Sequence, residues 1–259
     1  MKLQVLGCSG GIGQGLRTSS YLIGDSVLLD AGSGVGDLTL AQMRAIRHVF
    51  ITHSHVDHVL SLPLMVDTLF DELCEQPLQV HARPETIAIL KQHLFNWQLW
   101  PDFTELPNPA QPAFEFVPML PGDAVQINEL QIEMVDVKHT VPACAYIVQT
   151  MQESQLRVFV YSGDTTTNNT LWDRLNQLPQ LDFLLVEVAF SNADEALARL
   201  AKHYSPGLLS ADLLKLEHRP RIGISHLKPG MEQQIFDECC AAMPDYQLCR
   251  LNSGEHFQI

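Results

Sequence analysis

Short apolar, β-branched runs recur from the amino terminus, and each has the length of a strand. The first three runs lie within residues 3–6, 20–23 and 27–32, and Gly24-Asp25 is a turn signal between the last two. Helices are predicted at residues 39–47 and 84–95, on either side of a buried strand at 48–52. In the second half we predict strands at residues 130–137, 143–148, 158–161, 183–188 and 222–225, and a helix at 207–216. This order predicts an α/β protein with two αβ halves packed sheet to sheet.

Length and composition agree with a single folding unit. The chain has 259 residues, of which 46% are hydrophobic, which is enough material to bury a substantial core. Nothing is low in complexity and no short repeat appears. The stretch of prolines and aromatic residues near positions 97–121 is predicted to be a loop and not a domain linker. We therefore expect one domain over residues 1–259.

The charge balance bears on partners. Sixteen basic and thirty acidic residues give a formal charge of −14, without a block of lysines or arginines that would follow a phosphate backbone. A large nucleic acid is therefore not an expected partner. A small anionic substrate remains compatible, because bound divalent cations reverse the local field inside a pocket. The sequence leaves both a monomer and a homodimer open.

The sequence also bears on the compartment. No segment reaches the roughly twenty consecutive apolar residues that cross a bilayer, and the amino terminus lacks a charged region followed by an apolar stretch. The six cysteines contain no Cys-x-x-Cys pair. We expect a cytoplasmic protein with reduced thiols and no membrane partner.

The densest chemistry lies in the segment Thr52-His53-Ser54-His55-Val56-Asp57-His58, directly after an apolar run. Alternation along a strand would place His53 and His55 on one face, while the following turn redirects Asp57 and His58. Neutral imidazoles and carboxylates suit zinc, iron or manganese, and neither pair closes a coordination sphere alone. The alternative is a solvated polar loop. We therefore look for further ligands at distant positions.

Four more imidazoles or carboxylates stand at the carboxyl ends of predicted strands, where catalytic groups collect in layered α/β folds. They are His139, Asp164, Glu187 and His226. For each, the alternative is a side chain satisfied by local hydrogen bonds. Their recurrence in step with the first cluster favours one shared site.

The glycine-rich segment at residues 7–15 follows a predicted strand, but another strand and not a helix comes after it. A dinucleotide site needs the amino terminus of a helix, and a phosphate loop needs a Gly-Lys-Ser/Thr ending. We therefore predict a tight turn beneath the active site in preference to a cofactor site.

The cluster His53-x-His55-x-Asp57-His58, followed in order by His139, Asp164 in Ser-Gly-Asp, and His226, resembles the metallo-β-lactamase superfamily. The resemblance implies an αββα four-layer sandwich with a two-metal site. It further implies that His53, His55 and His139 hold one ion, that Asp57, His58 and His226 hold the other, and that Asp164 bridges them. Zinc is the favoured metal, with iron and manganese as alternatives.

The segments between these ligands are similar to class II 3′,5′-cyclic nucleotide phosphodiesterases. They include residues 62–64, 83–87, 93–96, 100–103, 139–142, 187–190, 200–206 and 226–229. Two departures from the family pattern are Ser61, where glycine is usual, and Tyr204, where an aliphatic residue is more common. The resemblance implies a phosphodiesterase that opens cyclic AMP or cyclic GMP to a 5′-nucleotide. Tyr204 leaves the substrate choice in doubt.

Hydrolysis of a phosphodiester needs a nucleophile, charge stabilisation and a proton for the leaving oxygen. Two metal ions share a water whose pKa can fall towards about 7, and they clamp the phosphoryl oxygens. We also predict a catalytic role for Asp57. His203, held by Glu187, is a hypothesis for the proton donor, and the pair also resembles the tRNA 3′-processing endonuclease branch. The alternative for His203 is a surface residue at a helix cap.

For the base, Trp97, Trp100 and Phe103 offer stacking surfaces, and Lys228 is a candidate for the phosphate. Core packing is the alternative for the rings. Other functions left open are a tRNA 3′-processing endonuclease or an arylsulfatase of the same superfamily. A noncatalytic metal-binding protein or a flavin-linked redox partner would need disabled ligands or an extra cofactor domain. The sequence does not decide between adenine and guanine.

Overall fold

The computed structural model describes all residues, 1–259. Its strands are β1 Lys2–Gly7, β2 Ser20–Ile23, β3 Val27–Leu29, β4 His48–Phe50, β5 Leu78–Ala82, β6 Pro107–Asn108, β7 Gln111–Pro112, β8 Phe114–Pro118, β9 Ala124–Ile127, β10 Leu130–Val137, β11 Ala143–Gln152, β12 Gln155–Tyr161, β13 Phe183–Glu187, β14 Arg221–Ser225, β15 Gln247–Arg250 and β16 His256–Gln258. Its α-helices are α1 Leu40–Ala45, α2 Val56–Val59, α3 Leu62–Thr68, α4 Phe70–Glu75, α5 Pro84–His93, α6 Thr170–Asn176, α7 Glu195–Ala201, α8 Pro206–Leu213 and α9 Glu232–Ala242. Two short 3₁₀ helices cover Ser33–Asp37 and Asn192–Asp194.

The strands form two seven-stranded mixed sheets and one small hairpin, β6-β7. The first sheet has the order β16-β1-β2-β3-β4-β5-β8, and its strands from β3 to β8 are parallel. The second has the order β15-β14-β13-β12-β11-β10-β9, and its strands from β12 to β15 are parallel. The last strand, β16, returns to pair with β1. Each half is thus part meander and part parallel sheet.

Alternation along the strands separates the interior into layers. In β12, Val158 and Val160 belong to one buried cluster, whereas Phe159 and Tyr161 belong to another. The second cluster lies between the sheets, because it also contains β1 residues such as Leu3. Side chains of a strand point to opposite faces in turn, so this assignment follows from the pleat.

Helices cover both outer faces. The outer face of the first sheet packs against α3, α4 and α5, and the outer face of the second packs against α6, α8 and α9. The order from one surface to the other is therefore helices, sheet, sheet, helices. The expected αββα four-layer sandwich is confirmed. No helix in the structure is both long and apolar enough to cross a membrane.

The elements that the pattern missed are mostly short. Helices α2, α3 and α4 follow one another closely and have only four to seven residues each. Fewer than two turns give little helical periodicity, so sequence spacing could not reveal them. Strand β8 was also missed within the predicted loop, where prolines stand at and near its ends.

Parallel strands place their carboxyl ends at one edge of each sheet, and the two sheets bring these edges together. Backbone hydrogen bonds cross between the halves: Cys144 N donates to Thr52 O at 3.0 Å, His226 N donates to Cys8 O at 2.7 Å, and Gly10 N donates to Leu227 O at 3.0 Å. Loops that follow β3, β4, β10, β12 and β14 therefore meet at one place. This place holds the predicted ligands.

One histidine of the first sheet gives a test of the packing. His81 is 1% exposed, and its ring stacks on Phe50 with centroids 4.2 Å apart. Burial lowers the pKa of His81 to about 4, with a smaller contribution from His48. As the pH falls below the ordinary value of about 6.5, the unfolded chain binds a proton that the folded chain excludes. Folding stability should therefore decrease.

Between pH 7 and pH 5, the free energy of unfolding should fall by about 1 to 2 kcal/mol more in the parent protein than in His81→Phe, measured by urea unfolding. The comparison cancels the metal-site histidines, because both proteins contain them. The exposed His256, changed to Phe, is the control and should keep the parental pH dependence. Parallel curves for the parent and His81→Phe would contradict the assignment.

Candidate metal centre

The histidine cluster lies in the loop between β4 and α2. The strand ends at Phe50, so His53 and His55 do not extend it, and the sequence-based expectation of strand alternation at these residues is wrong. His55 is the residue before α2, and Asp57 and His58 lie in the first turn of that helix. Because these residues lie in a loop that leads into a helix, their four side chains point towards one region and not to the two faces of a strand.

The structure gathers seven of the predicted residues into two groups. The first contains His53, His55, His139 and Asp164, and the second contains Asp57, His58, Asp164 and His226. In each group the candidate ligand atoms all lie within 4.8 Å of one another. Asp164 belongs to both. The grouping matches the two ligand sets that the resemblance implied.

The separations between donor atoms suit metal coordination. His139 Nε2 is 3.2 Å from His55 Nδ1, and Asp164 Oδ2 is 3.3 Å from His58 Nε2. The other oxygen of Asp164, Oδ1, is 3.4 Å from His226 Nδ1. Ligands that each bind an ion at about 2.0 to 2.2 Å are separated by about this much.

Two buried nitrogens of these ligand groups lack any hydrogen-bond partner. They are Nε2 of His53 and Nε2 of His58, and both side chains are fully buried. An unsatisfied buried polar atom is costly and calls for an explanation. Both nitrogens face Asp164, at 3.8 and 3.3 Å from its Oδ2. A cation beside Asp164 would satisfy them, so the residues present fit a metal site.

The electrostatics keep most of the imidazoles neutral, which is the form that binds metal. Burial lowers the pKa of His53 well below its usual value and lowers those of His139 and His226 to about 4. Burial also acts against the charged form of His58, but Asp164 and Asp30 outweigh it and raise the pKa of His58. Burial would raise the pKa of Asp164, yet the surrounding imidazoles, His226 first, hold it well below its usual range.

Sequence reasoning missed Asp30, which supports this centre. Its fully buried carboxylate accepts hydrogen bonds from His58 Nδ1 at 2.7 Å, Thr52 N at 2.8 Å and Tyr161 Oη at 2.8 Å. A carboxylate on the far nitrogen of a ligating histidine orients the ring and raises its basicity. The signal was present, because Asp30 directly follows an apolar strand as the predicted ligands do.

Close backbone contacts at two glycines help to position Asp164 and His226. Gly163, which precedes Asp164, has φ of 58°, and a Cβ there would lie 2.8 Å from Cys144 O. A Cβ on Gly10 would lie 2.5 Å from the carbonyl oxygen of His226. Only glycine allows these approaches. The glycine-rich segment thus packs beneath His226, as the predicted tight turn requires.

Glu187 and His203 form a pair next to the two groups. His203 Nδ1 lies 2.9 Å from Glu187 Oε1 and 4.0 Å from Asp164 Oδ2. Burial opposes a charge on His203, but Glu187 and then Asp164 outweigh it and raise its pKa to about 9. His203 is 9% exposed, so it is not the surface cap residue that was the alternative. The pair can hold a proton at the edge of the candidate centre.

The residues considered for substrate contact lie in different surroundings. Phe103 is 3% exposed and packs against Phe70 in the core, so it presents no stacking face. Trp97 is 57% exposed, and Trp100 is half-buried. The amino group of Lys228 lies 5.4 Å from the ring centroid of Phe190.

The two positions that depart from the family pattern do not reach the ligand atoms. Tyr204 is buried, and its hydroxyl donates to Asp212 at 2.7 Å. Ser61 is buried before α3, where its backbone nitrogen donates to Ala31 O at 2.8 Å. Both positions therefore pack the surroundings of the centre.

Comparison with known proteins gives consistent findings. Residues 26–243 match the description "Beta-lactamase superfamily domain". A probable 3′,5′-cyclic-nucleotide phosphodiesterase of Yersinia pestis is 26% identical over 279 aligned positions, which cover 88% of this chain and 78% of that protein. A ribonuclease Z of Pyrococcus abyssi is 31% identical over 132 positions, covering 48% of this chain and 38% of that protein. Unliganded yeast PDE1 shares the fold, with a TM-score of 0.83, 15% identity and coverage of 100% and 99% of the two chains.

The role of Asp30 can be tested by Asp30→Asn. This change keeps the shape of the side chain but removes the carboxylate charge that raises the basicity of His58. We therefore expect zinc affinity to fall about 10- to 100-fold, measured by competition with a chelator. Asp182→Asn is the matched control, because Asp182 also accepts a backbone N–H, from Val158 at 2.8 Å. Equal zinc affinity in Asp30→Asn and the parent protein would show that Asp30 does not support the centre.

Proposed function

We propose that this chain, which belongs to the beta-lactamase superfamily domain family by its match over residues 26–243, hydrolyses 3′,5′-cyclic nucleotides to 5′-nucleotides. The observation that carries the proposal is the pair of ligand groups that share Asp164. Similarity to cyclic-nucleotide phosphodiesterases over 88% of the chain supports the substrate class. As a member of this family the chain is a metallo-β-lactamase-fold hydrolase.

The residues present suit two divalent ions, with zinc favoured and iron or manganese as alternatives. His53, His55 and His139 would hold one ion, Asp57, His58 and His226 the other, and Asp164 would contact both. When bound, such ions supply an activated water near neutral pH and neutralise charge on the phosphoryl oxygens. The fold supplies the orientation of these ligands through Asp30 and Thr52.

Asp57 has a second role in this proposal. Its side chain is 29% exposed, whereas that of Asp164 is 3% exposed. An accessible carboxylate oxygen can accept a hydrogen bond from a water that approaches the phosphorus atom. Asp57 thereby orients the attacking water while it completes the second ligand group.

His203 supplies the proton that the leaving group needs. Opening the ring to a 5′-nucleotide breaks the bond between phosphorus and O3′, and O3′ takes up a proton as it leaves. Glu187 accepts a hydrogen bond from His203 Nδ1, which leaves Nε2 to donate to O3′. Because Glu187 is buried and fixed by Thr165 N and Ala189 N, it holds the imidazole in one orientation.

A second candidate is processing of tRNA 3′ ends. It is favoured by the Glu187–His203 pair and by ribonuclease Z relatives that are 31% identical over about half of the chain. The charge of −14 and the absence of a basic block weigh against a large RNA substrate. Cyclic-nucleotide hydrolysis is therefore the better-supported function.

The proposal is tested by metal analysis of the purified protein and a substrate screen. The screen compares cyclic AMP and cyclic GMP with bis(4-nitrophenyl) phosphate, 4-nitrophenyl sulfate and a precursor tRNA. We expect 5′-nucleotide as product. Asp164→Ala should lose activity and at least one metal equivalent, because both ligand groups lose a member, whereas Asp245→Ala, an exposed control, should keep both. Turnover of only the sulfate or only the precursor tRNA would contradict the proposal.

The proton-donor role predicts a dependence on the leaving group. We expect His203→Gln to lower the rate on cyclic AMP by about 10²-fold or more, since ribose O3′ is a poor leaving group. The same variant should lose far less on bis(4-nitrophenyl) phosphate, whose leaving group needs no proton. Metal content is measured in parallel and should be unchanged. An equal loss on both substrates at full metal content would exclude His203 as the acid.

A further inference from the structure

An apolar pocket of about 340 Å³ lies along α2, the helix that carries Asp57 and His58. Ser54 and Val56, which flank His55 in sequence, are part of its wall. The remaining walls come from α2, α3, α5 and residues 94–100. A substrate whose phosphate lies at the ligand groups would therefore have this pocket within reach.

The pocket wall carries no charged side chain, and it leaves large apolar residues uncovered. Val56, Leu60 and Leu64 are spaced four residues apart and are 68%, 42% and 51% exposed. Leu99, on the opposite segment, is 64% exposed. Contiguous exposed apolar surface at a cleft marks a binding site for an apolar group.

The segment at residues 96–100 is a hydrogen-bonded turn, and its residues Leu99 and Trp100 line the pocket. Asn96 Oδ1 accepts hydrogen bonds from Gln98 N at 3.0 Å and from Leu99 N at 2.8 Å. Trp97 has φ of 64°, a left-handed conformation that is costly for a bulky residue. Such strain persists where the surroundings impose it, and it concentrates at ligand clamps.

One polar atom in this wall lacks a partner. The indole N–H of Trp100 is buried and donates to nothing. The other polar side chains of the wall are the Ser54 hydroxyl and the His93 imidazole. The pocket therefore offers flat apolar surface with very few polar groups, a pattern that suits a planar heteroaromatic ring.

We propose that this pocket binds the base of the cyclic nucleotide and that it prefers adenine to guanine. The proposal rests on the proposed function, because the phosphate must lie at the ligand groups. The phosphate itself does not suit the pocket, since a charged group would lose its hydration without a partner. A separate polar groove of about 750 Å³ begins at His139, so the apolar pocket remains for the base.

The preference for adenine follows from the shortage of acceptors. Guanine presents an N1–H and an amino group that both need acceptors, and carboxylate or amide side chains usually provide them. The pocket wall has no carboxylate or side-chain amide. Adenine carries a single amino group in place of guanine's two donor groups, and Ser54 or His93 can accept from it. Burying an unpaired donor of guanine weakens binding. We therefore expect kcat/KM for cyclic GMP to be lower than that for cyclic AMP by about tenfold or more.

The experiment compares three substrates: cyclic AMP, cyclic GMP and the base-free 1-O-methylribose 3′,5′-cyclic phosphate. The parent protein should show a kcat/KM for cyclic AMP at least about tenfold above those for the other two. In Leu64→Glu the ratio of cyclic AMP to the base-free substrate should fall towards one, mainly through KM for cyclic AMP. Met151→Glu is the matched control, because Met151 is 61% exposed at the far end of β11, and it should keep the parental ratio.

Calorimetry with AMP and ribose 5-phosphate tests base binding in the pocket without turnover, because only AMP carries a base. Tighter binding of AMP that is weakened in Leu64→Glu supports the base pocket, even if no cyclic nucleotide is hydrolysed and the proposed function fails. Equal kcat/KM on all three substrates, or equal binding of AMP and ribose 5-phosphate, overturns the base pocket. A loss of self-association in Leu64→Glu with unaltered AMP binding also overturns it, since the face would then be an interface between two copies.

Discussion

The contact between the carboxyl edges of the two sheets is the constraint on which the rest of this molecule depends. Asp30, at the end of β3, accepts a hydrogen bond from Tyr161 at the end of β12, and so one buried carboxylate joins the two halves. The same carboxylate holds His58 and the backbone of Thr52. The interaction that positions the sheets is therefore also the one that orients a candidate ligand, and packing and chemistry cannot be separated at this point.

The candidate centre gathers buried carboxylates, imidazoles and unsatisfied nitrogen atoms that bound cations would satisfy. Asp30, Asp164 and Glu187 are buried within a few ångströms of several imidazoles, and His53 and His58 each leave a nitrogen without a partner. Burial keeps most of these imidazoles neutral, while adjacent carboxylates favour protonation of His58 and His203. A cation at the second group would take the place of the proton on His58, so metal binding and the stability of this region would be coupled.

The candidate ligand groups and the proposed base pocket are built from different elements. The candidate ligand groups stand in loops that follow strands and in the first turn of α2. The apolar pocket is made by short helices and the turn at residues 96–100. Such segments change without disturbing the sandwich, because they lie outside the two sheets and contribute little to the layer between them.

The sequence by itself indicated the types of candidate ligand, their order and the layered fold, because the candidate ligands cluster just after apolar runs that form buried strands. His139, Asp164, Glu187 and His226 could be placed in this way, and the spatial grouping of His139, Asp164 and His226 follows the ligand sets that the resemblance implied. Only the tertiary structure revealed Asp30 as a partner of His58, moved Phe103 into the core and left Trp97 exposed. These outcomes depend on contacts between residues far apart in the chain, such as Asp30 with Tyr161, and local periodicity carries no information about such contacts.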